Sequence, residues 1–206
     1  CAETDHPAVL MQRQLLATTR HKLTALPVTR DGDIHPEVLF ESLGRDVRAI
    51  SLLHGHNELG TLAELEELVS LARRVCPDAH IHVDLVQTYG KIAFDMDVAG
   101  VDSVAVAAHK LHGPRGIGML ALSGKAELSA IQAGGGQESQ LRGGTENVAG
   151  VVGLAVAAEA AFTHLASTKD HCEHLAQRLF DRIQNVFPDA GRLGNPDHRL
   201  PHILSM

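Results

Sequence analysis

The chain of 206 residues has no tryptophan, one tyrosine and only 3% aromatic residues. Hydrophobic residues nevertheless make up 44% of it, and most of them are alanine, valine, leucine and isoleucine. That balance suits buried parallel strands covered by helices better than an antiparallel sandwich. We therefore expect an α/β fold.

Cysteine is also scarce. Cys1, Cys76 and Cys172 are far apart and form no C-x-x-C pair, which argues against a disulfide framework and against a zinc site. Because free cysteines persist in a reducing compartment, we expect a cytoplasmic protein. His54 and His56 lie close together in the sequence, but two histidines without a nearby third ligand do not predict a metal site.

Two kinds of partner are not expected. The formal net charge is −7, and the 18 lysines and arginines are scattered without a basic stripe, so the sequence does not indicate nucleic-acid binding. No apolar run reaches the roughly 18 residues that a membrane-spanning helix needs, so a membrane partner is not expected either.

Hydrophobic patterning predicts alternating strands and helices. Runs of aliphatic and β-branched residues predict buried strands at residues 48–53, 80–84, 103–107 and 117–122. Apolar residues at helical spacing predict a helix over 62–75, with Thr61 as its N-cap, which completes a βαβ unit. Other helices are predicted over residues 6–18, 36–43 and 146–186.

A lysine and an aspartate follow two of these strands. Lys110 comes shortly after the strand at 103–107, and Asp84 ends the strand at 80–84. Ligands bind at the carboxyl ends of strands in open α/β sheets. A carboxylate there is costly unless it meets a cation, and a protonated pyridine nitrogen is such a cation. Each residue alone is more typical of a surface lysine or a turn cap, but together they favour a pyridoxal 5′-phosphate (PLP) site.

Several sequence motifs extend this interpretation. The chain contains H-V-D-x-x-Q-x-x-G-K from His82, H-K-x-x-G-P-R-G-I-G from His109 and G-G-G-Q-E-x-x-x-R-x-G-T-E-N from Gly134. With the upstream stretches 5–9 and 57–61, these motifs resemble the cysteine desulfurase and selenocysteine lyase family of fold-type I, class V PLP enzymes. The resemblance covers most of the chain.

The resemblance implies a role for each matching residue. Lys110 would hold PLP as an imine and serve in catalysis, and Asp84 would pair with the pyridine nitrogen. Gln87 would bind the phenolic oxygen, with Asn57 near the same oxygen. His6 would stack on the pyridine face and take part in acid/base steps. His109 and Thr145 would bind the phosphate, and Thr145 would reach it from the neighbouring subunit of a homodimer.

The resemblance also implies a domain organisation. Residues 1–150 would be the core of a large PLP-binding domain with a mostly parallel sheet flanked by helices. Residues 151–187 would form a long connecting helix, and 188–206 would begin a small C-terminal domain. Because the chain starts at Cys1 and ends at Met206, we expect both domains to be truncated.

Parts of the family pattern do not match this chain. We expect three features of the family outside these residues: a glycine-rich phosphate loop, a nucleophilic cysteine and a substrate-binding arginine. Cys1, Cys76 and Cys172 do not match the catalytic loop that carries the nucleophile. Ala107 stands where the family commonly has a phosphate-binding hydroxyl, and Leu85 replaces a small residue and is expected to crowd the cofactor ring.

The implied activity is removal of sulfur or selenium from L-cysteine or L-selenocysteine to give L-alanine, with sulfur-acceptor proteins as partners. Two alternatives stay open. One is another class V PLP enzyme, an aminotransferase or a kynureninase-like lyase, and the other is an inactive truncated remnant.

Overall fold

The computed structural model describes residues 1–130 and 132–206. It contains one four-stranded sheet with helices before, between and after the strands. In chain order, the α-helices and strands are α1 (Pro7–Leu10), α2 (Gln12–Leu16), α3 (Pro36–Ser42), β1 (Ala49–Leu53), α4 (Leu65–Val75), β2 (His80–Asp84), α5 (Met96–Ala99), β3 (Ser103–Ala107), β4 (Gly118–Leu122), α6 (Val148–Thr163) and α7 (Leu165–Val186).

The strands lie in the order β1-β2-β3-β4. The first three are parallel, and β4 is antiparallel to β3. In the register of the sheet, Asp84 lies opposite Leu53 of β1 on one side and Ala105 of β3 on the other. The predicted α/β class, with a mostly parallel sheet flanked by helices, is confirmed.

The helix α4 covers the sheet because its apolar residues form one stripe. Its first turn carries Glu66 and Glu67 and its last turn Arg73 and Arg74, which complements the helix dipole. The guanidinium of Arg73 also lies 2.6 Å from Asp102, just before β3. The buried residues of α4 are Leu65, Leu68, Val69, Leu71 and Ala72.

The predicted start of α4 is wrong. The helix begins at Leu65 after Glu64, which makes no side-chain cap. Thr61 instead donates its hydroxyl to the carbonyl of Asp31 and accepts the N–H of Asn195. Tertiary contacts therefore occupy the side chain that the local pattern assigned to a cap.

Two predicted helices are interrupted. In the first, α1 and α2 meet at Met11, and the side-chain Nε2 of the next residue, Gln12, donates to the carbonyl of Ala8. The predicted connecting helix at 151–187 consists of α6 and α7, which bend by 72°. On either side of this bend, Thr163 donates its hydroxyl to a carbonyl four residues back and Ser167 to one three residues back, a pattern that bends helices.

Residues 187–206 form no helix or strand but pack against the loop after β1. Leu200 is fully buried, and its N–H donates to the carbonyl of Gly60 at 2.6 Å. Among the described residues, no single helix is long and apolar enough to cross a membrane, and α6 and α7 satisfy that criterion only as a bent pair.

Candidate active site

The candidate site lies at the carboxyl edge of the parallel strands. Asp84 is the last residue of β2, and its carbonyl accepts the N–H of His54 from the loop after β1 at 3.1 Å. The N–H of Leu85 donates to the carbonyl of Ala105 in β3 at 3.0 Å. Since β3 runs directly into the turn that holds Lys110, three neighbouring loops meet at this edge.

The loop after β2 is held by local hydrogen bonds. One oxygen of Asp84, Oδ1, accepts the N–H of Val86 at 2.8 Å. Gln87 is buried, and its carbonyl accepts a hydrogen bond from the ammonium of Lys91 at 3.1 Å. Gly90 has a left-handed φ of 70°, so a residue with a side chain would be strained there. This loop therefore holds Asp84 and Gln87 in fixed places.

Leu85 lies in the same loop but does not face the open edge. It is 1% exposed and belongs to the hydrophobic core. Its larger side chain therefore adds to the core, and the expectation that it crowds a cofactor ring is wrong.

Lys110 lies in a 3₁₀ turn, Ala108–Leu111, that follows β3 directly. Both His109 and Lys110 are exposed. Helix α6 fixes the end of this turn, since a side chain at Gly153 would come within 2.5 Å of the Pro114 ring. The last strand residue, Ala107, supplies no hydroxyl, as the sequence predicts.

The loop after β1 contains His54, His56 and Asn57. Nδ1 of His54 lies 3.0 Å from the hydroxyl of Thr88, in the loop after β2. Burial, and then the charge of His198, lower the pKa of His54 to about 4. Its ring is therefore neutral at neutral pH. Asn57 is half-buried beside it.

His6 is exposed at the start of α1, where its Nδ1 accepts the N–H of Ala8 at 3.1 Å. The preceding residue, Asp5, is 4% exposed, and neither carboxylate oxygen has a hydrogen-bond partner among the described residues. Burial raises the pKa of Asp5 to about 6, and the charge of Asp84 adds to that shift. Asp5 also lines one cavity with Leu53, which is paired with Asp84 in the sheet, so the segment that holds His6 lies near this edge.

Thr145 is exposed in the long loop between β4 and α6, and the structure gives it no hydrogen bond to the other site residues. The glycine motifs of this loop pack on each other, because a side chain at Gly134 would lie 2.6 Å from Cα of Gly143. The loops after β1, β2 and β3 place five of the predicted residues at one edge of the sheet: Asn57, Asp84, Gln87, His109 and Lys110. His6 lies in the N-terminal segment directly after Asp5, and Thr145 lies in the loop before α6.

Sequence reasoning gave no role to three ionisable residues whose pKa values are shifted by burial in the structure: Asp5, His56 and Lys91. Burial, and then the charge of Lys110, lower the pKa of Lys91 to about 8. Lys91 and Asp5 lie inside quoted motifs, which was the available signal. His56 was considered only as a metal ligand, and its Nδ1 accepts the N–H groups of Glu58 and Leu59.

The residues at this edge fit PLP chemically. Among residues 1–130 and 132–206, Oδ2 of Asp84 has no hydrogen-bond partner and Lys110 no ion-pair partner. The edge offers a carboxylate for a pyridinium nitrogen and an amide for a phenolic oxygen. It also offers imidazoles for a phosphate and an amine for an aldehyde. The same part of the chain contains no group of three or more metal-ligating side chains.

Among the described residues, none of the three cysteines has a hydrogen bond to a residue of this edge. Cys76 is buried, and its thiol donates to the carbonyl of Gly44 at 3.1 Å. Cys172 is half-buried on α7, and Cys1 lies near the carbonyl of Thr24. Cys76 thus acts as a small core residue.

Comparison with known proteins shows the family of this chain. The family model described as "Aminotransferase class-V" matches residues 1–206, and the chain belongs to that family. It is 33% identical over 204 residues to the cysteine desulfurase IscS of Dictyoglomus turgidum, and 36% identical over 204 residues to the cysteine desulfurase NifS of Azotobacter vinelandii. These matches cover 99% and 98% of this chain but only 51% and 50% of the relatives.

Solved structures give the same result. A NifS-like protein superposes with a TM-score of 0.92 at 32% identity, covering 97% of this chain and 54% of that one. DndA from Streptomyces lividans gives 0.86 at 31% identity, covering 98% and 57%. SspA in complex with cysteine gives 0.72 at 32% identity, covering 77% and 46%. The chain thus spans about half the length of the relatives it matches.

Proposed function

We propose that the full-length protein is a PLP-dependent cysteine desulfurase, which takes sulfur from L-cysteine and leaves L-alanine. The observation that carries this proposal is the placement of Asp84 and Lys110 at the carboxyl ends of neighbouring parallel strands, with Gln87 buried between them along the chain. The similarity to cysteine desulfurases and to a structure solved with cysteine supports this substrate.

The residues have distinct roles in this proposal. Lys110 would hold PLP through its amine and move the proton of the substrate α-carbon, while Asp84 would keep a positive charge on the ring nitrogen. Gln87 and Asn57 would bind the phenolic oxygen, and His109 and Thr145 the phosphate. His6 would lie on the ring face. The cofactor would supply an electron sink for the negative charge left at the α-carbon.

The sulfur balance requires a thiol acceptor. Cysteine and a thiol give alanine and a persulfide, because the sulfur leaves the substrate β-carbon for the acceptor thiol and a hydrogen takes its place. Since Cys76 is buried and neither Cys1 nor Cys172 matches the family's catalytic loop, we assign the acceptor thiol to a part of the protein outside these 206 residues. We further propose a cytoplasmic homodimer that passes the sulfur to acceptor proteins.

Borohydride reduction and peptide mapping test the proposal. We expect the full-length protein with PLP to retain a pyridoxyl group on Lys110 after reduction, and to release equal amounts of alanine and sulfide from cysteine with added reductant. A label on Lys91 would contradict the assignment, since that amine has the lowered pKa. Transamination without sulfide would favour an aminotransferase, and faster turnover of L-selenocysteine would favour a lyase.

A further inference from the structure

His54 is held in one place by its main chain and by its ring. It directly follows β1 and is 8% exposed. Its N–H donates to the carbonyl of Asp84 at 3.1 Å, and its own carbonyl accepts the N–H of Ala63 at 3.0 Å. The ring packs beside Phe94, with 5.5 Å between the ring centroids. Because these contacts fix the ring, its Nδ1 points in a defined direction.

Thr88 is the residue that this nitrogen meets. It directly follows Gln87, is fully buried, and its hydroxyl lies 3.0 Å from Nδ1 of His54 and 3.4 Å from the carbonyl of Leu85. A neutral imidazole and a hydroxyl can share one hydrogen bond with either group as the donor. The methyl group of Thr88 packs on Gly55, where a side chain would come within 2.6 Å of it. Both branches of Thr88 therefore contact the loop after β1.

These contacts join two loops that each carry a predicted cofactor ligand. Gln87 is next to Thr88 in the loop after β2, and Asn57 lies three residues after His54 in the loop after β1. Two side chains from separate loops can bind one oxygen only if the loops keep a fixed distance from each other. The buried bond between His54 and Thr88 supplies such a constraint.

We propose that His54 and Thr88 are positioning residues, whose hydrogen bond sets the spacing of Asn57 and Gln87 at the phenolic oxygen of PLP. The inference rests on the proposed function, because that function places Asn57 and Gln87 at this oxygen. Neither His54 nor Thr88 needs to touch the cofactor. Loss of their bond should therefore weaken the contacts with the phenolic oxygen and spare the other contacts of the cofactor.

Three substitutions separate the hydroxyl of Thr88 from its methyl group. Thr88→Val has a similar shape and keeps a methyl group against Gly55, but it cannot bond to His54. Thr88→Ser keeps the hydroxyl and removes the methyl group. Thr168→Val makes the same exchange as Thr88→Val at an exposed position of α7, and it is the matched control.

Binding of PLP is compared with binding of 3-deoxypyridoxal 5′-phosphate, an analogue that lacks the phenolic oxygen. We expect Thr88→Val in the full-length apoprotein to lower the preference for PLP over the analogue by about tenfold, the size of one lost hydrogen bond. Thr88→Ser and Thr168→Val should keep the wild-type preference. A purely structural role would weaken both compounds equally, so an unchanged preference in Thr88→Val would overturn the proposal.

Melting temperatures of the apoprotein test the bond without the cofactor. If His54 and Thr88 share it, the shift caused by combining His54→Leu with Thr88→Val should be clearly smaller than the sum of the two single shifts. Additive shifts would overturn the proposal. If the wild type binds no PLP, the proposed function fails and the positioning role fails with it, whereas smaller-than-additive shifts would still show the bond.

Discussion

Lys110 is exposed in a short turn, so its side chain contributes little to folding. We expect Lys110→Ala in the full-length protein to lower desulfurase activity by about 10²–10⁴-fold, because it removes the group that moves the α-proton. The melting temperature of the apoprotein should stay near that of the wild type, since exposed substitutions change stability by roughly 0.5 kcal/mol or less.

The matched control is Lys125→Ala, at an exposed lysine in the loop after β4. It removes the same charge without reaching the sheet edge, so activity and melting temperature should both be unchanged. If the two variants have equal activity, Lys110 is not the catalytic lysine.

The second residue-scale prediction concerns the buried carboxyl of Asp5. Its pKa is about 6 in the folded protein, raised by burial from about 3.8. Because the folded state binds the proton more tightly, the associated stability is present below pH 3.8 and is lost as the pH rises through 6. Two pKa units correspond to about 2–3 kcal/mol. We therefore expect Asp5→Asn to be more stable than the wild type by about 2 kcal/mol at pH 8.

Urea unfolding from pH 4 to pH 8 measures this difference. The advantage of Asp5→Asn should be small at pH 4 and grow toward pH 7, whereas Asp170→Asn, at an exposed position of α7, should show no such trend. A constant difference across the range would mean that Asp5 does not titrate in it.

At the scale of elements, the strands were the most predictable part. The predicted bounds of β2 and β3 agree with the structure, and β1 and β4 each differ by one residue at the start. These strands are runs of aliphatic residues whose burial is set by the sheet itself. Because the bounds of β2 and β3 were right, the positions of Asp84 at the end of β2 and of Lys110 just after β3 could also be predicted from the sequence.

Helix ends were less predictable, because they depend on residues far away in the sequence. Thr61 has the chemistry of an N-cap, but its hydroxyl binds Asp31 and Asn195. The bend between α6 and α7 depends on the hydroxyls of Thr163 and Ser167, whose choice of acceptor is not visible in an apolar pattern.

The contact between α6 and the lysine turn gives an element-scale prediction. Glycine-to-alanine changes inside helices usually stabilise by about 0.5–1 kcal/mol. At Gly153, however, the new methyl group would lie 2.5 Å from Cγ of Pro114, and a proline ring cannot rotate away. We expect Gly153→Ala to destabilise the protein by about 1–3 kcal/mol and to weaken PLP binding, because the turn that holds Lys110 must move.

Thermal unfolding checks the sign of this effect. Gly191→Ala is the control, because nothing lies within 4 Å of the added methyl group. It should change stability by less than about 1 kcal/mol. A stabilising Gly153→Ala would show that α6 does not press on this turn.

At the scale of the whole molecule, the site joins segments that are far apart in the chain. The hydroxyl of Thr61 binds Asp31 and Asn195, and Leu200 packs at the loop that contains Gly55. No local pattern specifies such contacts, which is why sequence reasoning found the motif residues but not the contacts that connect distant segments. Residues that match a motif are visible in sequence, whereas residues that hold the motifs together are visible only in the fold.

The surface around α6 fits the proposed homodimer. Val148, Val151, Val152 and Val156 are all exposed on this helix, and exposed apolar patches commonly mark protein contacts. Thr145 lies three residues before the helix and is also exposed. In a two-fold dimer that buries this face, the loop of one subunit would meet the sheet edge of the other.

Subunit mixing tests that arrangement. Lys110→Ala and Thr145→Glu, which places a negative charge against the phosphate, should each inactivate the full-length homodimer. If Thr145 acts in the neighbouring subunit, a mixed dimer has one site with both defects and one intact site. Unfolding and refolding an equal mixture should therefore restore about one quarter of wild-type activity, because half of the dimers are mixed. If Thr145 acts within its own subunit, every site keeps one defect and the mixture stays inactive.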